Sequence, residues 1–294
     1  MSSTASIALL PVAVWQEQQR THAARVDALI GDHRERAARG QPHPVEDFLF
    51  NYYSLRPGRL RRWHPGPDVV LSGEEARGFL RWPEYQESED GVRLRLDRIP
   101  EKRRKFAQWL ASYMEATANR PAFFGCFGWH EWAMVYRQSP EEIRHNRHPL
   151  RFAPDRIAEV VEQGSGCCTH FDAFRFFTPP ARPLNRHQPT RGTTIELEQP
   201  GCLHANMDLY KWAYKMSPAT PSDLLLACFE LARGIREIDM RASPYDLSEL
   251  GYEPIKVETA EGRAEYEKRQ RGFTERGRPL RETLRDLATR VAAA

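Results

Sequence analysis

The sequence has no long apolar run, and this absence excludes the simplest membrane and secretory architectures. No stretch approaches the ~18 consecutive apolar residues that a membrane-spanning helix needs. The opening segment MSSTASIALLPVAVWQEQQR has neither the basic start nor the apolar stretch of a secretory leader. We therefore expect a cytoplasmic protein with no membrane partner.

Paired cysteine motifs are also missing. The five cysteines are odd in number and show no CxxC spacing, which disfavours a disulfide framework and a zinc ribbon. The adjacent Cys167 and Cys168 would face opposite ways on a regular strand, so we expect at most one of them to reach any pocket. Most of the cysteines are predicted to be reduced core residues.

Several familiar catalytic motifs do not occur. There is no GxxxxGK[ST] phosphate loop, no GxGxxG after a strand, no HExxH and no GxSxG. An E-x-x-H motif occurs once, at Glu142–His145, whereas a di-iron helical bundle needs two such motifs and further carboxylates. These absences exclude the enzyme classes that a short motif would identify.

The charge has no dominant sign, which argues against a protein that coats nucleic acid. The 43 basic and 40 acidic residues leave a formal net charge of +3. Any contact with DNA must therefore come from local patches, namely Arg56–Arg62 (RPGRLRR) and Lys102–Lys105 (KRRK). Such patches can bind phosphates, but they also occur as ordinary surface loops.

What the chain does have is enough apolar residues for a core, 40% of 294. Apolar spacing predicts helices over residues 14–39, 100–117, 206–216 and 222–241, and a charged C-terminal helix over 259–294. Strands are predicted over 69–71, 92–96, 167–177 and 193–197. We predict a mainly α fold with a small β-sheet, a single globular domain over 1–294 with a flexible N-terminus at 1–13.

His170 and Asp172 form the first candidate pair for chemistry. On a strand they share a face, with about 6 to 7 Å between their Cα atoms. That spacing suits a shared ligand or a polarised histidine, and it equally suits a pair that satisfies itself beside the sheet. The surrounding phenylalanines favour function, since a polar pair inside an aromatic run is costly without partners.

A second candidate face lies on the helix predicted after Pro200. His204, Asp208, Lys211 and Lys215 recur at intervals of four, three and four, which places them on one face. The alternative is a solvated charged face with an Asp–Lys pair. A functional face is favoured because His204 follows a turn, Asn206 can cap the helix, and tryptophan and tyrosine side chains flank it.

His130 and Glu131 follow the glycine-containing turn FGCFG. Because neighbours on a helix point about 100° apart, we expect one of them to face the site and the other to anchor it. The alternative is a core histidine bonded to backbone. On the last predicted core helix, charged residues suggest an ion-paired surface, or else Asp239, Arg241 and Asp246 close over the site.

Five segments in order resemble one known family. Together they are similar to actinobacterial proteins commonly labelled 3-methyladenine DNA glycosylases, and the likeness runs through about residues 15 to 275. The segments are HPVEDFLFNYYSLRPGRLRRWHPG, FGCFGWHEWAMVYR, THFDAFRFFTPPARPLN, LEQPGCLHANMDLYKWAYK and RASPYDLSELGYEP.

The resemblance implies a DNA-repair hydrolase. Such an enzyme would cleave the N-glycosidic bond of an alkylated purine in DNA, or of a related nucleoside or nucleotide, with the base turned into an aromatic pocket. Asp172 or Asp208 would stabilise the sugar cation or activate water, beside His204 and Lys211. The candidate substrate-binding residues are Trp129, Trp132, Phe174, Arg175, Asn206 and Tyr210.

A metal-dependent enzyme is the alternative, acting on a small molecule. Two or three histidines with a carboxylate are a normal ligand set for zinc or non-haem iron, which activate water or oxygen. The candidate ligands are His130, His170, His204 and Asp208. A third hypothesis, a non-catalytic binding protein, requires the same polar side chains to be scattered.

Overall fold

The computed structural model describes residues 7–139, 141–143, 148–164 and 166–294. The α-helices are α1 (Val12–Ala38), α2 (Phe48–Tyr52), α3 (Pro57–Leu60), α4 (Glu101–Ala118), α5 (Trp129–Ala133), α6 (Pro154–Gln163), α7 (Phe171–Phe174), α8 (Thr194–Leu197), α9 (Leu203–Met216), α10 (Ser222–Arg241) and α11 (Ala260–Ala293). The strands are β1 (Ala8–Leu10), β2 (Val69–Leu71), β3 (Tyr85–Ser88) and β4 (Gly91–Leu94). The predicted mainly helical fold with a small sheet is confirmed.

His145 of the E-x-x-H motif lies outside the described residues.

The four strands form one mixed sheet in the order β1-β2-β4-β3. β1 runs parallel to β2, and β4 pairs antiparallel with both β2 and β3. Val70 pairs with Arg93, and Tyr85 pairs with Leu94. The strand predicted over 69–71 is therefore present as β2, and its neighbour β4 contains residues 92–94 of the strand predicted over 92–96.

The flexible N-terminus predicted over 1–13 is wrong from Ala8 onward. The amide of Ala8 donates to the Asp68 carbonyl at 2.9 Å, and the Ser72 amide donates to the Leu10 carbonyl at 3.0 Å. These bonds make β1 an edge of the sheet, and α1 starts two residues later. Residues 1–6 lie outside the described residues.

The long helices agree with the apolar periodicity within a few residues. On α1 the buried positions include Val26 and Ile30, which are one turn apart. The charged α11 is not solvated all round, because it buries Tyr266 and Leu284. Within the described ranges, no helix combines the length and the apolar character that crossing a lipid bilayer requires.

Two predicted strands are helical turns. Within 167–177, the Phe174 amide donates to the His170 carbonyl at 3.0 Å, and this bond belongs to the single turn of α7. Phe174 and Phe177, three apart, contact each other at 5.0 Å between ring centroids. A short apolar run carries no period that separates strand from helix, and the same ambiguity applies to 193–197, which contains α8.

The chain forms two compact units. Unit 1 contains Met1–Met114, Leu209–Glu230 and Leu280–Ala294, and unit 2 contains Glu115–Asp208 and Leu231–Pro279. The chain passes between them inside α4, α9, α10 and α11. The single domain over 1–294 stays a prediction.

Candidate metal centre

Three buried histidines from separate segments converge in unit 2. His130 lies on α5, His170 directly precedes α7, and His204 lies in the first turn of α9. The ring centroids of His130 and His204 are 4.4 Å apart with the planes at 80°, and those of His170 and His204 are 5.1 Å apart at 20°. The predicted convergence of the three rings is therefore present.

Local structure explains how two of the rings are placed. α5 starts after Gly128, which has a φ of +69° and whose Cβ position would lie 3.2 Å from the Ala242 side chain. Asn206 lies inside α9, and its Nδ2 donates to the carbonyls of Pro200 at 2.8 Å and Cys202 at 2.9 Å. Asn206 thus fixes the turn that presents His204, and it does not cap the helix.

Two acidic residues lie beside His130. Its Nε2 is 3.0 Å from Asp239 Oδ1 and 3.8 Å from Glu131 Oε1. Arg236 Nη1 donates to Glu131 Oε1 at 3.2 Å and to Asp239 Oδ2 at 3.3 Å. His130 and Glu131 are thus anchored by the same buried group on α10, although they are neighbours in the sequence.

The charges of this group shift the pKa values of its members. Desolvation lowers the pKa of His130, but the neighbouring Asp239 and Glu131 outweigh it, and the pKa is raised overall. Desolvation, followed by the nearby His130, holds the pKa of His204 well below its usual range. Desolvation opposes ionisation of Asp239, yet the charge of His130 holds its pKa below the usual range. His204 is therefore a neutral imidazole at neutral pH, whereas Asp239 and Glu131 favour the protonated form of His130.

His170 contacts a different pair of carboxylates. Its Nδ1 is 2.6 Å from Glu198 Oε2, and its Nε2 is 3.9 Å from Asp208 Oδ2. Asp172 is half-buried and pairs with Arg175 at 3.3 Å. Because His170 is not on a strand, Asp172 is near it through the turn of α7, and the same-face argument from a strand was wrong.

Within the described residues, three sets of side chains bring metal-type donor atoms within 4.8 Å of one another. They are His130–His204–Asp239, His170–Glu198–Cys202 and His170–Asp172–Asp208. Each of the four predicted metal ligands belongs to at least one of these sets, but the four do not share a single set.

A cavity of about 20 Å³ adjoins the first set. Both Cys167 and Cys168 line it, with Cys126 and Cys202. The expectation that at most one of the adjacent cysteines reaches a pocket is therefore wrong, because Cys167 and Cys168 lie in an irregular segment where strand alternation does not apply. Burial raises the pKa of each of Cys126, Cys168 and Cys202, so these thiols are protonated at neutral pH.

The other predicted site residues have structural contacts. Trp129 and Trp132 are buried, and their indole nitrogens donate to the carbonyls of Val161 at 3.0 Å and Ala242 at 2.9 Å. Phe174 is buried against Phe177. Their roles in binding a base stay predictions.

Two residues predicted beside the histidines belong to unit 1. Tyr210 is buried with its ring 5.1 Å from that of Phe229. Lys211 is also buried, with its Nζ 4.1 Å from the Trp212 ring centroid and 5.5 Å from that of Tyr53. The helical face predicted from His204 to Lys215 is thus divided between the two units.

Sequence reasoning missed Glu198, Cys202 and Arg236. Of the residues considered for closing over the site, only Asp239 reaches it, whereas Arg241 pairs with Glu237 and Asp246 accepts hydrogen bonds from Ser248. The available signal was the pair of charges at Arg236 and Asp239, which interrupts the apolar face of α10.

Comparison with protein-family models, with curated proteins and with solved structures gave no match to this chain.

Proposed function

We propose that unit 2 is the catalytic part of a metal-dependent hydrolase that holds one zinc or iron ion on His130, His204 and Asp239. The observation that carries this proposal is the approach of one donor atom from each of these three buried residues within 4.8 Å of the others. Two imidazoles and a carboxylate are a common ligand set for catalytic zinc and non-haem iron.

A buried pair of donor atoms at the same place supports a bound cation. His130 Nε2 and Asp239 Oδ1 are fully buried and lie 3.0 Å apart as an ion pair, without the alignment of a hydrogen bond. A divalent ion bound to both atoms would take the place of the His130 proton between them.

The protonation states suit metal binding. A histidine binds a metal through a neutral nitrogen, and His204 has the lowered pKa that this requires. His130, whose pKa is raised, would release its proton when the ion binds. Arg236 would hold Asp239 through Oδ2 and leave Oδ1 directed at the ion.

The small cavity would supply the open position that catalysis needs. Catalytic zinc sites combine three protein ligands with one water, whose pKa the metal lowers so that it becomes a nucleophile. The cavity of about 20 Å³ lined by His130 and His204 has room for one water molecule.

Metal analysis of untagged protein tests the proposal. We expect about one zinc or iron ion per chain in the purified protein, and loss of the ion in Asp239→Asn and His204→Gln. Asp47→Asn is a matched control, because Asp47 is a buried carboxylate 2.7 Å from the Nδ1 of His33 and belongs to none of the three donor sets. The control should keep its metal.

Two results would overturn the proposal. One is a protein that contains no metal and binds neither Zn²⁺ nor Fe²⁺ in titrations. The other is an Asp239→Asn variant that binds as much metal as the Asp47→Asn control. Substitution with Co²⁺ adds a test of the open position, since a site with an exchangeable water should change its visible spectrum when azide is added.

N-glycosidic hydrolysis is the second candidate function, and the partial exposure of Asp172 favours it. Unlike the buried Asp208 in the same donor set, Asp172 is half-buried and within reach of a substrate at the surface. Release of 3-methyladenine from methylated duplex DNA, lost in Asp172→Asn and unaffected by chelators, would favour this activity over the metal-dependent one.

A further inference from the structure

Unit 1 contains a cavity of about 460 Å³, far larger than the one beside the histidines. This volume lies within the ~300–1,000 Å³ range of small-molecule binding sites. Its lining comes from residues in and around α3, the segment before β3, Arg103 on α4, the end of α9 with the residues after it, and Leu225 on α10. The cavity is therefore a second candidate site, and its described lining residues belong to unit 1, whereas the proposed metal ligands belong to unit 2.

One wall of the cavity is basic. Arg59 and Arg62 line it, are exposed, and have no acidic partner within ion-pair distance in the described ranges. Arg61, between them, does not line the cavity and pairs with Asp27 at 2.9 Å. Asp27 thus neutralises Arg61, whereas the guanidinium groups of Arg59 and Arg62 lie beside the cavity.

Among the described residues that line the cavity, one is acidic, and its charge is already neutralised. Glu84 is buried and accepts a hydrogen bond from Arg103 Nη1 at 2.7 Å. Arg103 also donates to the Ser217 carbonyl, which ties two walls of the cavity together. Arg59 and Arg62 therefore give this wall of the cavity a positive potential.

Another part of the lining is aromatic and apolar. Trp82 is half-buried and its ring is held edge to face by His64, with ring centroids 4.7 Å apart. Tyr214, Leu55 and Leu225 add further surface. A flat ring can pack against such a wall, while an anionic group meets the arginines.

We propose that this cavity binds a nucleoside monophosphate or a similar small phosphate ester that carries a flat ring. Arg59 and Arg62 bind the phosphate, because guanidinium groups match phosphate oxygens in charge and in hydrogen-bond geometry. Trp82 packs against the ring. The size of the cavity limits the ligand to one nucleotide.

Calorimetric titration with AMP, adenosine and inorganic phosphate tests this assignment. AMP should bind saturably, with affinity higher than that of adenosine or phosphate alone. Arg59→Gln and Arg62→Gln should each weaken AMP binding about tenfold, the effect of losing one charge-assisted hydrogen bond. Arg61→Gln, the matched control, should change it less than about twofold.

Several outcomes would overturn the assignment. They are equal binding of adenosine and AMP, no saturable AMP binding up to about 5 mM, or a loss in Arg61→Gln as large as in its neighbours. A fourth is tight binding of a single-stranded oligonucleotide that AMP does not displace, which would assign the basic wall to nucleic acid. Circular dichroism of each variant verifies that it is folded.

Discussion

The imidazole rings of His170 and His204 are stacked, with their centroids 5.1 Å apart and their planes only 20° from parallel. The ring of His130 contacts the ring of His204 edge to face. Because like charges at such distances repel strongly inside a protein, the three rings are not all positively charged imidazolium ions at the same time. Asp239 Oδ1 lies 3.0 Å from His130 Nε2 and favours the protonated form of that ring.

Removing that carboxylate should destabilise the metal-free protein. In Asp239→Asn, measured with a chelator present, His130 and Arg236 lose a buried counter-ion, and we expect the free energy of unfolding to fall by about 3 kcal/mol. Glu237→Gln on the same helix removes a half-exposed partner of Arg241 and should cost less than about 1 kcal/mol. Equal losses in the two variants, measured by urea denaturation, would contradict this prediction.

The protein should lose stability as the pH falls from 6.5 to 4 because of His64. Burial, followed by the charges of Arg62 and Arg81, lowers the pKa of His64 to about 4. Between this value and the unfolded value near 6.5, the unfolded chain binds a proton that the folded chain does not. The contribution of His64 to the free energy of unfolding is therefore fully present above pH 6.5. About 3 kcal/mol of this free energy is lost by pH 4.

His64→Asn provides the comparison for this pH dependence. The variant cannot take up the proton, so the difference in unfolding free energy between it and the wild type should change by about 2–3 kcal/mol between pH 7 and pH 4.5. Any cost of the substitution itself is the same at both pH values and cancels. A difference that stays constant would show that His64 does not titrate as stated.

The thiols should react slowly in the folded protein. Burial raises the pKa of Cys126 to about 11 and that of Cys228 to about 12, so almost no thiolate is present at pH 8. A thiol-specific reagent such as Ellman's reagent should therefore show no rapid phase with native protein and should titrate five groups after denaturation. A rapid stoichiometric reaction of one thiol would refute this.

Gly91 at the β3–β4 turn should not tolerate a side chain. Its φ is +144°, and a Cβ atom there would lie 2.1 Å from the Leu71 carbonyl oxygen on β2. Gly91→Ala should cost at least about 2 kcal/mol of unfolding free energy, since the backbone of the sheet must shift. Gly78→Ala, where no atom lies within 4 Å, should change stability by less than about 0.5 kcal/mol.

The long helices could be predicted because their apolar stripes repeat over many turns, as Val26 and Ile30 show on α1. The segment around His170 could not, because one helical turn is too short to show a period. Periodicity was also enough to place His204 and Asp208 on one helix. It gave no indication that Glu198 would pair with His170, because the 27 residues between them are mostly irregular.

The four passages of the chain between unit 1 and unit 2 all occur within helices. Domain boundaries usually fall in exposed linkers, where proteases cut and where recombination joins one gene to another. Here neither unit is a continuous piece of the gene, and every junction lies inside a helix. The residues of the histidine centre and of the basic cavity are interleaved along the chain, so a single exchange that transfers the whole of one site also transfers part of the other.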